Sequence, residues 1–239
     1  MRALAVASSA CYRRAMSAGP EQSRAERLAL LRGLYAIVGD DEPLSRAEAA
    51  IAGGARVVQV RMKRSPAGVV LEAARRIVAL AAGRALVLVN DRPDLALLAG
   101  ADGVHVGEED LPVAEARALV GRSLLVGRTA RTLEEALAAL DAGADHVGFG
   151  PVFTTRSKAL DVAPRGIPAL AATCAALPAP VVAVGGVALD NISEVAAAGA
   201  AAAAVIGDLF ECAEPRARAE ALADAFARGV RDLREEPRS

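Results

Sequence analysis

The sequence predicts an α/β protein built as a single closed (β/α)8 TIM barrel. Three observations carry that prediction. Eight short β-branched or apolar runs alternate with Ala-, Leu-, Glu- and Arg-rich segments, the pattern of strands joined by helical crossovers in a parallel sheet. Four of the junctions repeat Gly-Ala immediately before a strand, in GGARVVQV, GADGVHV, GADHVGF and GAAAAAV. Glycine is the usual residue just past a helix end. The length of 239 residues matches one barrel of about 250 residues. A doubly wound open sheet is the alternative, but no GxGxxG follows the first run.

Taken in order, the predicted strands are LYAIV (34–38), VVQV (57–60), ALVLV (85–89), GVHV (103–106), LLVG (124–127), HVGF (146–149), VVAV (181–184) and AAAVI (202–206). The segments between them read as helices, among them Pro66–Ala82, Thr132–Ala142, Asn191–Ala198 and Pro215–Arg228. Residues 1–32 form an N-terminal extension, loose except for a helical stretch near Arg24 to Arg32. Its start, MRALAVASSACYRR, resembles a signal peptide only faintly, because the apolar stretch is short and diluted by Ala and Ser. Met16 is a second candidate start. The barrel domain spans 33–230 and a charged tail spans 231–239.

Composition narrows the function classes. A net charge of -1 gives no electrostatic case for nucleic acid or an anionic membrane, and no apolar run is long enough to span a bilayer. Cys11, Cys174 and Cys212 are isolated, without a CxxC pair, and read as reduced packing thiols of a cytoplasmic protein. His105 and His146, the only histidines, stand too far apart for a zinc motif and read as satisfied structural residues. Small molecules are therefore the expected partners; a homo-oligomer is compatible with the sequence.

In a barrel of this class the site lies at the C-terminal ends of the strands. Gln59, Arg61 and Lys63 alternate along VVQVRMK, so their polar heads share one face and suit a multiply charged anion. The third strand runs into Asn90-Asp91-Arg92, and the fourth into Gly107-Glu108-Glu109-Asp110. Each reads either as a helix cap or as a ligand group. Mg²⁺ takes one or two carboxylates plus phosphate oxygens, which Asp91 and Asp110 fit, with Glu108 and Glu109 as alternatives. After the fifth strand, Thr132 and Glu135 match a capping box, leaving Thr129 and Arg131 for a ligand. The sixth strand leads into GPVFTTRSK (150–158), a plausible phosphate loop. Gly185-Gly186 and Gly207 end the last two strands, where barrels commonly hold phosphate on backbone N–H groups.

Together, QVRMK, NDR, GADGVHVGEEDLP, TLEEA, GADHVGFGPVFTTRSK and VVAVGGV resemble the thiamine-phosphate synthase family, over about Leu34 to Phe226. The resemblance implies Mg²⁺-dependent transfer of a pyrimidinylmethyl group from hydroxymethylpyrimidine diphosphate to a thiazole phosphate. By position, Gln59, Arg61, Lys63, Asn90 and Lys158 would hold the pyrimidine diphosphate, with Arg61, Lys63 and Lys158 as the catalytic cations. Asp91 and Asp110 would bind Mg²⁺, and Thr129 aligns with a family serine near the diphosphate. Thr155 and Ser157 would meet the thiazole ligand, and Gly186, Ile206 and Gly207 its phosphate. The chain departs from the family pattern at Arg128, at Arg131 where a histidine is usual, and at Gly207 where a serine is common. A TenI-like thiazole tautomerase and a non-catalytic regulatory barrel are the alternatives. The retained Asp91, Asp110 and Lys158 favour the synthase.

Overall fold

The computed structural model describes residues 23–155 and 163–235. Eight parallel strands close into a barrel in the order β1 to β8: β1 (Gly33–Val38), β2 (Val57–Val60), β3 (Leu86–Asn90), β4 (Gly103–Val106), β5 (Leu125–Ala130), β6 (His146–Phe149), β7 (Val181–Val184) and β8 (Ala202–Val205). The circle closes where Gly33 to Ala36 pair with Ala202 to Val205. Helices follow the strands: α2 (Pro43–Ala52), α3 (Ala67–Ala81), α4 (Pro93–Ala99), α5 (Val113–Val120), α6 (Leu133–Asp141), α7 (Gly166–Ala176), α8 (Ile192–Ala197), the short α9 (Gly207–Phe210) and α10 (Pro215–Glu235). The eight strand–helix units are those the sequence predicts. The largest differences in extent are β5, which runs on to Ala130, and α10, which continues to Glu235. The Gly-Ala junctions behave as expected; at Gly100, for example, φ is 67° and its N–H bonds back to Ala96 and Leu97 carbonyls.

Strand alternation sorts the core into two layers. Leu34, Ala36, Val58, Val60, Val87 and Val89 face the helices. Tyr35, Ile37, Val57, Leu86, Leu88, Leu125, Val182 and Ala202 fill the barrel interior. Ala and Val make up much of the buried core, with Tyr35 and Phe149 its largest fully buried side chains.

The barrel floor is closed by α1 (Arg24–Leu30), begun by a reciprocal Ser23–Glu26 capping box. Leu28, Leu30 and Leu31 pack against the interior layer. Arg24 and Arg117 both pair with the fully buried carboxylate of Asp145, which also accepts the Val126 N–H at 2.8 Å. Arg27 pairs with Asp102 at 3.2 Å. These bonds satisfy a charge that would otherwise be costly to bury. Among the described residues no helix is long and apolar enough to cross a membrane. Cys174 and Cys212 are free thiols, and burial raises the Cys174 thiol to about 11. Cys11 and Met16 lie outside the described residues.

Candidate active site

A cavity of about 720 Å³ opens at the C-terminal ends of the strands. Its wall includes Gln59, Arg61 and Lys63 from the end of β2, Asn90 and Asp91 from β3, and Asp110 from the loop after β4. Thr129, Thr155, Gly186, Ile206 and Gly207 line the other sides. Ser157 and Lys158 lie outside the described residues. Every described residue that the sequence assigns to a ligand therefore meets in one space, although the group spans most of the chain.

The β2 group is more differentiated than its alternation suggests. The strand ends at Val60, so only Gln59 belongs to it. Gln59 is 3% exposed and donates its amide N–H to the Tyr35 hydroxyl at 2.7 Å. That bond fixes the amide and leaves its carbonyl for a ligand. Arg61 and Lys63 follow the strand, Lys63 in a bend, with the Arg61 N–H bonded to the Val38 carbonyl at 2.8 Å. Lys63 reaches across to Asp91, with Nζ to Oδ2 at 2.9 Å.

Neither acidic loop serves as a helix cap. Helix α4 starts from Arg92 with Pro93 at its first position, and no side chain caps it. Helix α5 starts from Pro112, again without a side-chain cap. Asp91 instead sits at φ 62°, a left-handed conformation that Asp tolerates better than most residues, and its N–H is tied to the His105 carbonyl at 2.8 Å. Asp110 Oδ2 accepts the Gly107 N–H at 2.7 Å, which folds its loop back toward β3. Burial and the neighbouring Asp110 carboxyl raise the Asp91 pKa, against the lowering effect of Lys63. Two carboxyls that disfavour each other's charge are a donor set suited to one divalent cation completed by water and phosphate oxygens. Among the described residues no three His, Cys, Asp or Glu side chains gather in a way that could hold a metal ion. Glu108 takes another partner: its Oε2 lies 2.6 Å from Arg131 Nη1.

At the end of β5, Thr132 caps α6 by accepting the Glu135 N–H at 3.2 Å. The returning arm differs from a capping box, because Glu135 accepts the Arg131 N–H rather than that of Thr132. Arg131 lines the cavity, while Arg128 stands on the alternate face of the strand, with Nη1 buried and without a hydrogen-bond partner. On β7, Gly185 and Gly186 have φ of 93° and 67°. A β-carbon would meet Pro151 at 2.6 Å from the first and the Thr154 carbonyl at 2.4 Å from the second. The pair is thus required by the close approach of the loop after β6, whatever else it binds. Asn191 braces the same turn, accepting the Ala188 N–H at 2.9 Å and donating to the Gly186 carbonyl at 3.1 Å.

Three residues escaped sequence reasoning. Tyr35 looked like one more apolar strand residue. Arg218, on α10, looked like a solvated helix face, yet it lines the cavity and pairs with Asp208 at 3.3 Å. His105 also lines the cavity, and its Nε2 is 2.9 Å from Thr129 Oγ1. The expectation that both histidines are satisfied is corrected: His105 Nδ1 and both nitrogens of the fully buried His146 have no hydrogen-bond partner. Burial keeps both rings neutral, lowering His105 to about 4 and His146 well below its ordinary value.

The thiamine monophosphate synthase family model matches residues 34–209. The chain is 65% identical over 205 residues to the thiamine-phosphate synthase of Anaeromyxobacter dehalogenans (strain 2CP-C), covering 86% of this chain and 92% of that one. It is 49% identical to that of Myxococcus xanthus (strain DK1622), covering 84% and 94%. Among solved structures, the thiamine phosphate pyrophosphorylase of Pyrococcus furiosus superposes with a TM-score of 0.77 at 31% identity, over 84% of this chain and 99% of that one.

Proposed function

The chain belongs to the thiamine monophosphate synthase family, and from that premise we propose how its site performs the family's reaction. The protein is an enzyme of thiamine biosynthesis. It transfers a pyrimidinylmethyl group from hydroxymethylpyrimidine diphosphate to a thiazole phosphate, giving thiamine phosphate and pyrophosphate.

The single observation that carries the assignment of residues is the meeting of Arg61 and Lys63 with the Asp91–Asp110 pair in one cavity. Gln59 and Asn90 hold the pyrimidine end of the first substrate. Arg61, Lys63, Lys158 and the Thr129 hydroxyl hold its diphosphate. Asp91 and Asp110 hold Mg²⁺, which supplies charge neutralisation to the diphosphate when bound. Thr155 and Ser157 take the thiazole ligand, and backbone groups at Gly186, Ile206 and Gly207 take its phosphate.

The reaction breaks one C–O bond and forms one C–N bond. The electron pair of the C–O bond leaves on pyrophosphate, and positive charge left on the methylene spreads into the electron-rich pyrimidine. The thiazole nitrogen then supplies the pair for the new bond. Charge grows on the leaving oxygens, where Arg61, Lys63 and Lys158 stabilise it. No protein nucleophile is needed, so the chemistry does not call on the Cys212 thiol or the His105 ring that line the cavity. The protein has only to hold both substrates in line and exclude water. Free thiols and the absence of a pairing motif support a cytoplasmic setting.

The test is direct. Purified protein, both phosphorylated substrates and Mg²⁺ should give thiamine phosphate and pyrophosphate, and chelation should stop the reaction. No product at high enzyme concentration sinks the assignment. Interconversion of thiazole carboxylate isomers without Mg²⁺ would point instead to the tautomerase.

A further inference from the structure

Among the described residues, four cations line the cavity: Arg61, Lys63, Arg131 and Arg218. The first three come from the ends of β2 and β5, and Lys63 and Arg131 are paired with Asp91 and Glu108. Arg218 comes from the start of α10, and its partner is Asp208, the residue after Gly207. Asp208 Oδ2 accepts the Leu189 N–H at 3.2 Å, while its Oδ1 accepts from Arg218 Nη1 at 3.3 Å. One carboxylate thus ties the loop after β7 and the start of α9 to α10, and holds the guanidinium near Gly207. That bond engages one nitrogen of Arg218, whereas a guanidinium carries five N–H donors in a flat fork.

The place of Arg218 on its helix points the same way. The first turn of α10 holds Arg216 and Arg218 and no acid, although helix N-termini favour negative charge. Arg216 is 68% exposed and pairs along the helix with Glu220 at 3.1 Å. Arg218 lines the cavity instead. Helix stability disfavours a cation at this position, and an anion in the cavity would offset that cost. The subsite at Gly186, Ile206 and Gly207 offers a phosphate only backbone groups, and the acids beside it are repulsive. Asp208 adjoins Gly207, and Glu211 Oε1 would stand 3.3 Å from a β-carbon placed there. Glu211 is exposed to water, but Asp208 is fixed, so a phosphate dianion here requires a cation.

We propose that Arg218 is the side-chain cation of the thiazole-phosphate subsite, held by Asp208 and donating to the phosphate oxygens. This rests on the placement of that phosphate at Gly186, Ile206 and Gly207 given above. Asp208 touches no substrate and is a positioning residue. A flat fork matches two phosphate oxygens at once, so Arg218 favours the phosphorylated thiazole over the free alcohol.

The test varies each substrate in turn with the full-length chain. Arg218→Gln should raise KM for the thiazole phosphate roughly tenfold, the lower end for a charge-assisted hydrogen bond at a partly exposed site. KM for the pyrimidine diphosphate and kcat at saturation should stay within about twofold. Arg218→Lys keeps the charge without the fork and should recover part of the affinity. A purely structural role, bracing Asp208, is separated by an Asp208→Asn background. There Arg218→Gln should still raise KM for the thiazole phosphate severalfold. Loss of the effect in that background means that Arg218 acts only on Asp208, and overturns the proposal. An unchanged KM in Arg218→Gln itself overturns it too, as does an equal rise in both KM values, which marks distortion of the whole cavity. A native chain that forms no thiamine phosphate fails earlier, with the functional assignment, and takes the proposal with it.

Discussion

Lys63 Nζ stands 2.9 Å from Asp91 Oδ2, joining the ends of β2 and β3 across the mouth of the cavity. One cation and one carboxylate of the proposed site thereby hold each other in place. With Lys63 46% exposed, the pair contributes little to stability, and its value lies in placement.

The first prediction separates those two roles. Asp91→Asn keeps the side-chain shape and tolerates φ 62°, whereas Asp91→Ala does not. Both variants should lose turnover by roughly 10²- to 10³-fold, the scale for losing one preorganised electrostatic contact. Only Asp91→Ala should also lose stability, by about 1 kcal/mol. Urea unfolding alongside Mg²⁺-dependent assays checks this, and wild-type Mg²⁺ dependence in Asp91→Asn would contradict the metal assignment.

Arg131 and Glu108 lead to a second prediction. Their 2.6 Å ion pair links the loops after β4 and β5, and Glu108 is mostly exposed. Glu108→Gln should leave stability within about 0.5 kcal/mol. Because it releases Arg131 toward the cavity, it should lower KM for the pyrimidine diphosphate at low salt, with the gain shrinking as salt rises. A KM insensitive to both the substitution and salt would show that Arg131 does not meet the diphosphate.

Gly127 is irreplaceable for steric reasons. Gly127→Ala would drive a methyl group into His146 and His105 at well under contact distance. The rings are enclosed, so the expected loss is about 1–3 kcal/mol of unfolding free energy. A denaturation midpoint equal to that of the native chain would mean the two rings are loosely packed against Gly127.

The histidines also set an acid response. Their folded pKa values lie below the ordinary 6.5, with His105 at about 4. Above pH 6.5 both states are neutral and the full stability is present. As pH falls below 6.5 the unfolded chain takes up protons that the fold refuses, so stability drops by about 1.4 kcal/mol per pH unit for each histidine. Asp91 and Asp102, whose carboxyls are raised mainly by burial, offset part of the loss nearer pH 4. Unfolding measured from pH 7 to 5 should show this slope, and His146→Phe should roughly halve it. A flat profile would mean that the rings are charged, or open to water, in the fold.

Much of the site was legible because strand ends in a barrel share one face of the molecule. Gln59, Asn90, Asp91, Asp110 and Thr129 are far apart in sequence, yet each follows or ends an apolar run, and eight such runs imply the closure that gathers them. Tyr35, Arg218 and His105 were illegible for a common reason. Each has a residue type and spacing that suit an ordinary core or surface position, and only its neighbours make it otherwise. The ambiguity between cap and ligand at Asp91 and Asp110 was likewise local, since both uses begin with an acid before a helix.

Sequence alone determined the order of strands and helices, the junction glycines and the polar residues at the strand ends, because these follow from local periodicity and backbone preference. Tertiary structure decided which of those residues hold one another: Lys63 with Asp91, Arg131 with Glu108, His105 with Thr129. Such pairings depend on distances across separate strands, set by barrel closure and by the space that Gly127 leaves for two rings. No local pattern encodes them.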